Sequence, residues 1–403
     1  WPQPVEAKVD GATAVGWGAQ GVGLGGTSAF YAAALEQPER HDFEPVADMP
    51  HPTGGWPVGY DEFAPWYDRA RQIMAVNGTQ DPLSGQVAPL SPPLPLAPRD
   101  EALGQALAEA GLHPYRAHLG IRQLEGCMEC IGRKCPRDCK MDGRSAGVLP
   151  ALATGHATVL EGAEVVGLEG HGDRVTGLSI DWQGERHQLH ARAYVLAAGS
   201  LSSPRLLLAS ATEAWPQGCA NSSGLVGRGL MFHINERIAI WPPRNAPRST
   251  PGPLKAFSMR DLYCHERDRM GLFQSLGLPA DYGNILYVLR QRYEASPLRR
   301  IGIGREFLRI PALVAARLLG EARVFAGILE DMPDDNNRVR HDPARPDTII
   351  YDYTMSADLL ERRRRFRRLL KQRLSGVRSL WLNHSPELNV AHPCGTLRFS
   401  ADP

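Results

Sequence analysis

Short apolar runs separated by Gly and Asp fill the middle of the chain. ATVLEG, EVVGLEG, RVTGLSIDW and RHQLHA follow one another between residues 157 and 191. Strand-like runs bounded at short intervals by turn residues are typical of an antiparallel meander, so we expect one here. Three later runs, ERIAIW, NILYVL and ARVFAGIL, have the same character and predict strands between Pro/Arg-rich loops.

Other stretches carry apolar residues at helical spacing. Residues 61–75, 101–112 and 361–374 predict amphipathic helices, and an Ala-rich stretch predicts a helix over residues 28–35. In YVLAAGSLSSPRLLLAS, the apolar residues 194–197 predict a buried strand that ends in an Ala-Gly turn. We place Pro204 in the first turn of the helix that follows, where a proline is tolerated.

Two glycine-rich patterns lie near the start of the chain. Residues 16–21 read G-W-G-A-Q-G, a literal match to the dinucleotide fingerprint G-x-G-x-x-G. The fingerprint also needs a buried strand before it, a helix at its third glycine and a later acidic residue at a strand end. The surrounding text lacks all three, so we interpret this match as accidental.

The second pattern is G-L-G-G-T-S, residues 23–28, which leads into the predicted Ala-rich helix. Glycines let the backbone approach a phosphate or a flat ring closely, and the hydroxyl groups and free N–H groups at a helix start suit an anion. A tight loop with an ordinary helix cap is the alternative interpretation of these residues.

The composition narrows the class of protein. The chain has 403 residues, 43% of them hydrophobic and 22% charged, with a net charge of +1. This length predicts two domains or one domain with a large insertion. With a net charge so near zero, the protein has no overall positive electrostatic field that would attract nucleic acid. No apolar run is as long as a membrane span. The arginine-rich run at 361–374 predicts a solvated helix face or a subunit contact.

Four of the seven cysteines lie within thirteen residues. Cys127, Cys130, Cys135 and Cys139 have the spacing C-x2-C-x4-C-x3-C. Thiolates this close in sequence suit an iron–sulfur cluster or zinc, although zinc sites more often separate two C-x2-C pairs by a longer stretch. Disulfides or buried free thiols are the other interpretations.

Six blocks in order give the chain a specific resemblance. They are GLGGTSAFY, HPTGGWPVGYDEFAPWYDRA, GAEVVGLE with YVLAAGSLSSPRLLLAS, NSSGLVGRGLMFH, EDMPDDNNRV and HPCGTLRFSADP. Together they resemble the glucose–methanol–choline (GMC) family of flavin-dependent oxidoreductases. The resemblance implies an α+β fold, with an FAD/NAD(P)-binding three-layer flavin domain and a sheet-based substrate domain. It also implies oxidation of an alcohol, such as a sugar or polyol, by hydride transfer to FAD.

The same resemblance assigns roles to residues. His392 in H-P-C-G-T corresponds to the catalytic base, and Tyr31 stands where many members have Asn. An imidazole with a pKa near neutrality is a suitable acceptor for the hydroxyl proton. The resemblance places the following residues against FAD: Gly23, Gly25, Gly26, Thr27, Ser28, Val165, Ala198 and Gly199.

The last three clustered cysteines resemble the iron–sulfur ligand run of bacterial membrane-associated FAD glucose dehydrogenases. Those enzymes hold the cluster with three cysteines, so Cys127 departs from their pattern. They pass electrons to a cytochrome c subunit. The resemblance therefore implies an iron–sulfur cluster and an electron-acceptor subunit as a partner.

The resemblance also predicts the domain organisation. Residues 1–50, 140–232 and 385–403 are assigned to the flavin domain, 233–384 to the substrate domain, and 51–139 to a connecting segment with the cysteines. The family's N-terminal G-x-G-x-x-G unit and its C-terminal end have no counterpart in the sequence. We therefore expect a fragment of a longer enzyme that binds FAD poorly alone. A truncated, non-catalytic binding or assembly subunit is the alternative.

Overall fold

Helices account for the regions where apolar residues recur at helical spacing. The computed structural model describes residues 3–17, 20–47, 49–127, 129–247, 252–294, 296–300 and 304–401. Within these ranges the α-helices are α1 (Tyr60–Ile73), α2 (Pro98–Glu109), α3 (Leu149–Ala153), α4 (Gly199–Ala209), α5 (Tyr282–Glu294), α6 (Gly304–Phe307), α7 (Arg309–Leu319) and α8 (Ala357–Arg373). None of the helices in these ranges is long and apolar enough to cross a bilayer.

Strands alternate with these helices along the described chain. In order they are β1 (Pro4–Val9), β2 (Ala12–Trp17), β3 (Val76–Asn77), β4 (Tyr115–Arg116), β5 (Leu119–Gly120), β6 (Glu164–His171), β7 (Arg174–Trp182), β8 (Glu185–Leu189), β9 (Met231–Ile240), β10 (Phe257–Met259), β11 (Cys264–His265), β12 (Asp268–Arg269), β13 (Gly271–Ser275), β14 (Arg323–Leu329), β15 (Arg338–Arg340), β16 (Ile349–Tyr353), β17 (Ser379–Trp381) and β18 (Leu388–Cys394).

The largest sheet has seven strands in the order β17-β9-β14-β13-β10-β4, with β18 also paired to β9. Its neighbouring strands pair antiparallel. Helices α2 and α8 cover it, and Leu103, Leu107, Phe366 and Leu370 are buried against its strands. Burying such side chains stabilises the fold by about 1.5–3 kcal/mol each. This core fixes β9, the strand beside which β18 lies.

A second sheet has the order β15-β16-β1-β2, with β1 parallel to β16. It joins the start of the chain to residues 338–353, which the sequence assigned to the substrate domain. The domain boundaries themselves stay a prediction. The predicted meander is confirmed as the three-stranded antiparallel sheet β6-β7-β8, whereas residues 157–162 form no strand.

The predicted Ala-rich helix over residues 28–35 is wrong. Only a 3₁₀ helix forms, Gly26–Phe30. The backbone groups that a longer helix would pair internally are taken by distant partners. Leu35 N–H donates to the His118 carbonyl, and the Ala33 carbonyl accepts from Gly120 N–H. Tertiary pairing therefore overrides the local preference of alanine for helix.

Three further predictions differ from the structure. Residues 194–197 form no strand, and Val195 is 90% exposed where a buried strand was expected. Pro204 lies inside α4 rather than in its first turn. The run NILYVL is helical, within α5, because the Asp281 carboxylate accepts the Asn284 N–H at 2.8 Å and caps the helix start.

The arginine-rich run forms α8 as predicted, but its arginines are not all solvated. Arg363 and Arg367 both pair with Glu236, whose side chain is fully buried. Arg362, also buried, donates to the carbonyls of Arg269 and Glu330. The polar side of this helix is therefore tied into the protein interior, and the predicted solvated face is wrong for these positions.

Candidate functional site

A cavity of about 1800 Å³ lies among the segments that the sequence singled out. Its walls come from the β1–β2 hairpin, the glycine loop, residues 159–165, the turn before α4, and β18. Pockets for drug-sized ligands occupy about 300–1,000 Å³. This cavity therefore has room for a ligand of dinucleotide size.

Most of the predicted site residues meet at this cavity. Those on its wall are Gly23, Gly25, Thr27, Val165, Ala198, Gly199 and His392. Gly26 and Ser28 lie behind the wall rather than on it. The Ser28 hydroxyl donates to the Gly25 carbonyl at 2.6 Å and accepts from Gly143 N–H at 2.8 Å, so it holds the loop from behind.

The glycine loop is held so that its backbone lines the cavity without side chains. Gly25 has a φ of +89°, and a Cβ there would lie 2.9 Å from the backbone nitrogen and Cβ of Arg144. The Gly21 N–H donates to the Thr27 hydroxyl at 3.0 Å, which closes the loop. Only glycine fits position 25, because a side chain would be both strained and overlapped. Such a bare backbone is what a flat ring or a phosphate needs for close approach.

The literal G-x-G-x-x-G at residues 16–21 has a different setting. Gly16 belongs to β2, which is antiparallel to β1, and residues 18 and 19 lie outside the described ranges. No helix starts at Gly21; the next helical residue is Gly26, in a 3₁₀ turn. A working fingerprint places a helix directly after its glycines, so this geometry supports the interpretation that the match is accidental.

Apolar side chains stand open on the cavity wall. Val195, Val15 and Val22 are 90%, 73% and 60% exposed, and Val390 is 42% exposed. Contiguous exposed apolar surface in a concavity marks a ligand-binding site. Together with the side-chain-free loop, this wall fits a large, partly aromatic group such as FAD.

His392 is brought to the cavity by an irregular strand. β18 pairs with β9 at Leu388 and Asn389, and then not again until Cys394 pairs with Met231. Residues 390–393 therefore bulge away from the ladder over a single residue of β9. Bulges of this kind re-aim side chains beside active sites. Here the bulge puts His392 on the cavity wall.

A second histidine supports the first. The rings of His233 and His392 meet edge to face, with centroids 5.5 Å apart. The His233 Nδ1 lies 3.0 Å from the Leu329 carbonyl, which fixes the ring. Sequence reasoning missed His233; its only signal is its place at the end of the block NSSGLVGRGLMFH.

The environment favours the neutral form of His392. Burial lowers its pKa below the ordinary value, and a positive charge on His233 or Lys255 lowers it further. Burial lowers the pKa of His233 as well. Lys255 is itself buried and donates to the Ser275 carbonyl at 3.1 Å. Burial lowers the Lys255 pKa to about 8. A neutral imidazole open to a cavity can accept a proton from a bound hydroxyl group.

Arg205 is a further cavity residue that the sequence did not single out. Among the described residues on the wall it is the only Lys or Arg. One of its guanidinium nitrogens donates to the Pro346 carbonyl, while the buried Nε has no hydrogen-bond partner in the described structure. It lies on α4, just beyond the Ala198–Gly199 turn, and supplies positive charge for an anionic ligand there.

The four clustered cysteines do come together. Cys135 and Cys139 are buried, and Cys127 and Cys130 pack against them as free thiols. Burial and the neighbouring thiol of Cys127 raise the Cys139 pKa to about 11. No group of three His, Cys, Asp or Glu residues within the described ranges is arranged to hold a metal ion. The geometry therefore lends no support to an iron–sulfur cluster, to zinc or to disulfides at this site.

Lys140 organises the cysteine segment instead. Its fully buried ammonium nitrogen lies 2.5–3.2 Å from the carbonyl oxygens of Ala29, Tyr31, Cys130 and Arg133, which its three N–H groups share as hydrogen-bond acceptors. These bonds tie the segment to the chain just after the glycine loop. The cysteine segment thus contributes to the site by supporting that loop from behind.

Comparisons with known proteins agree with this geometry. Residues 9–235, more than half of the chain, match the family model described as GMC oxidoreductase. Paromamine 6'-oxidase of Streptomyces fradiae is 29% identical over 272 residues, which cover 63% of this chain and 50% of that protein. The 6'''-hydroxyparomomycin C oxidase of Streptomyces lividus is 26% identical over 421 residues, covering 96% of this chain and 71% of that protein. The chain thus spans half the length of the first relative.

A solved structure shares the fold. Pyridoxine 4-oxidase from Mesorbium loti aligns with a TM-score of 0.60 at 19% identity, over all of this chain and 79% of that one. At this sequence identity the structural similarity shows the fold alone. It confirms the predicted α+β class with a flavin domain and a sheet-based substrate domain.

Proposed function

Because the chain belongs to the GMC oxidoreductase family, we propose that it catalyses the FAD-dependent oxidation of an alcohol, with His392 as the base. One observation carries the proposal. The cavity brings the glycine loop, the Ala198–Gly199 turn and His392 onto a common surface, although they are far apart in sequence. Such convergence of a bare backbone loop and a neutral imidazole suits binding of a flat cofactor beside a proton acceptor.

Different residues of the cavity wall would hold different parts of FAD. Gly23, Gly25 and Thr27 would let FAD approach the backbone closely, and Arg205 would offer positive charge to its pyrophosphate. Val165 would lie against the adenine end, as the family resemblance implies. When bound, FAD supplies the acceptor for a hydride.

His392 acts on the hydroxyl proton. The alcohol C–H bond and O–H bond both break as the C=O bond forms, so two electrons and one proton leave with the hydride and a second proton leaves the oxygen. The neutral imidazole accepts that second proton, because its lowered pKa keeps a nitrogen lone pair free at neutral pH.

The substrate class is an alcohol on a hydroxyl-bearing small molecule, such as a sugar or polyol. The names of two relatives support this class, since one is an oxidase of paromamine and the other of 6'''-hydroxyparomomycin C. The electron-acceptor subunit inferred from the cysteine spacing remains a prediction, because the thiol geometry does not support the cluster through which it was inferred.

An absorbance spectrum of the purified chain, reconstituted with FAD, tests the proposal. Two flavin bands that bleach anaerobically on addition of a sugar alcohol or an amino sugar, and that stay oxidised in the His392→Ala variant, are expected. Bound flavin that no alcohol bleaches, while dithionite does, contradicts the oxidation and favours the non-catalytic subunit. Additional broad absorbance under the flavin bands would show that the cysteines hold an iron–sulfur cluster.

A further inference from the structure

An arginine-rich helical hairpin stands at one end of the seven-stranded sheet. It consists of the described residues 282–294, 296–300 and 304–319 and is called the arginine hairpin below. Its helices α5 and α7 pack together, and Leu319 is buried with Trp241 and Ala239 at the end of β9 opposite His233. The hairpin therefore lies away from the cavity and is separate from the proposed oxidation site.

The side of α7 that faces away from the protein carries four exposed apolar residues and one arginine, Arg317. Ala312 and Leu319 are buried against the body, whereas Ile310, Leu313, Val314 and Leu318 are 51–68% exposed. Positions 310, 313, 314 and 318 fall on one side of a helix with 3.6 residues per turn. The inward side of α7 is apolar as well, so the helix exposes a second apolar side where an ordinary surface helix is polar.

The exposed stripe continues beyond α7. Phe307 just before the helix is 61% exposed, Leu298 in the 3₁₀ turn Pro297–Arg300 is 57% exposed, and Tyr287 on α5 is 64% exposed. Tyr282 borders a shallow groove with Ile310, Leu313 and Val314. The apolar surface therefore spans both arms of the hairpin, more than the scattered single residues of an ordinary surface.

Positive charge surrounds this apolar surface. The arginine hairpin has seven arginines and two glutamates, an excess of five positive charges in a chain whose net charge is +1. Both glutamates are already paired, Glu306 with Arg309 and Arg290, and Glu294 with Arg305. Arg299, Arg300 and Arg317 are exposed and have no carboxylate partner within the described residues.

We propose that the arginine hairpin binds the surface of an anionic lipid bilayer. Helices that lie in a membrane interface combine an apolar face with arginines that meet anionic headgroups. Here α7 would rest with Ile310, Leu313 and Leu318 toward the acyl chains. Arg299 and Arg300 would reach the phosphates, and Arg317, on the same side of α7 as the apolar residues, would extend its long side chain up to them. The proposal does not depend on the oxidation proposed above.

The charge distinguishes this partner from a second copy of the chain. Two arginine hairpins brought face to face would place ten excess positive charges across one contact, and like charges in an interface oppose association. An anionic bilayer instead complements every unpaired arginine. The near-neutral total hides this local excess, which is why the composition alone gave no sign of a membrane partner.

Co-sedimentation of the full chain with vesicles tests the proposal. We expect binding to vesicles of phosphatidylcholine with 30% phosphatidylglycerol in about 0.1 M salt, a condition under which charges within about 10 Å still interact. Binding to phosphatidylcholine alone should be at least tenfold weaker, and 0.5 M salt should also weaken it. Leu313→Ser/Leu318→Ser and Arg299→Gln/Arg300→Gln should each reduce the partition coefficient at least tenfold.

A control variant tests whether removing any two exposed arginines weakens membrane binding. Arg364→Gln/Arg368→Gln removes two exposed arginines from α8, whose apolar side is buried, and should bind vesicles like the unsubstituted chain. Circular dichroism checks that each variant is folded. Absence of binding, equal binding to neutral vesicles, or loss of binding in the α8 variant as well would overturn the proposal. So would dimerisation in analytical ultracentrifugation that the α7 substitutions abolish.

Discussion

The His392 ring stands nearly perpendicular to the His233 ring, at an interplanar angle of 84°. The two side chains come from adjacent strands, β18 and β9, and His233 is fixed in turn by the Leu329 carbonyl on β14. Three strands of the seven-stranded sheet thus determine where the proposed base lies. The position of His392 is therefore coupled to the seven-stranded sheet.

Removing the proposed base should abolish most of the activity. His392→Ala should lower kcat/KM for the alcohol by about 10²–10⁴-fold, the usual contribution of a general base. Steady-state kinetics of the FAD-loaded chain measures this. His156→Ala, a change at an exposed histidine outside the cavity, serves as the control and should leave the rate unchanged.

The same group predicts the direction of the pH dependence. The imidazole must be unprotonated to accept the hydroxyl proton, and its pKa is lowered below 6.5 by burial and by neighbouring positive charge. Activity should therefore be constant near neutral pH and fall as the pH drops through that lowered pKa. A pH profile of kcat/KM with an acid limb at or above 6.5 would contradict this assignment.

His233 should act on the reaction through His392. His233→Asn removes a group whose protonation disfavours that of His392, so the pKa of His392 should rise. The acid limb of the pH profile should then move to higher pH. A purely structural role would lower the amount of folded enzyme without moving the limb, so the profile separates the two.

The two glycine patterns should differ in their tolerance of a methyl group. Gly25→Ala places a Cβ 2.9 Å from Arg144 at a φ of +89°, whereas Gly16→Ala meets no atom within 4 Å. We expect the first change to weaken FAD binding at least tenfold and the second to leave it within twofold. Titration of the apoprotein with FAD, followed by quenching of flavin fluorescence, measures both. The reverse order would make residues 16–21 the working fingerprint.

The buried ion pairs of Glu236 with Arg363 and Arg367 on α8 should contribute to the free energy of unfolding. Glu236→Leu leaves Arg363 and Arg367 without their shared carboxylate, and breaking a buried pair of this kind costs about 3–5 kcal/mol. Urea denaturation measures the free energy of unfolding. Glu361→Gln breaks only the exposed pair with Arg364 on the same helix, and should cost less than about 1 kcal/mol. Equal losses in the two variants would argue against the buried cluster.

Periodicity predicted the helices α1, α2 and α8 and the meander β6–β8. In α2 and α8 the apolar positions that the pattern marks are the ones that pack in the core. It failed over residues 28–35, where Lys140 and the chain near His118 take the backbone partners. It also failed at NILYVL, where the Asp281 carboxylate caps the start of a helix by accepting the Asn284 N–H. Hydrogen bonds to distant residues and at helix caps produce no periodic pattern of apolar residues in the sequence.

The candidate site was predicted in part by the order of its motifs. The glycine loop and His392 stand in recognisable blocks, and the structure brings them to one cavity. Arg205 and Lys255 were not predicted, because each is a single polar residue in an apolar stretch and acquires its place only when distant strands and helices pack. The cysteines are the reverse case: their spacing predicted a metal cluster, but within the described residues no three His, Cys, Asp or Glu side chains are arranged to hold a metal ion.

The number of residues in the β18 bulge determines where the side chain of the proposed base lies. Its flanking pairs, Asn389 with His233 and Cys394 with Met231, are anchored in the sheet, while the residues between them are free of ladder bonds to β9. Insertion or deletion of one residue in this interval would swing the imidazole to another part of the cavity and leave the anchors in place. The length of this four-residue bulge would then set which hydroxyl group of a bound substrate lies beside the proposed base.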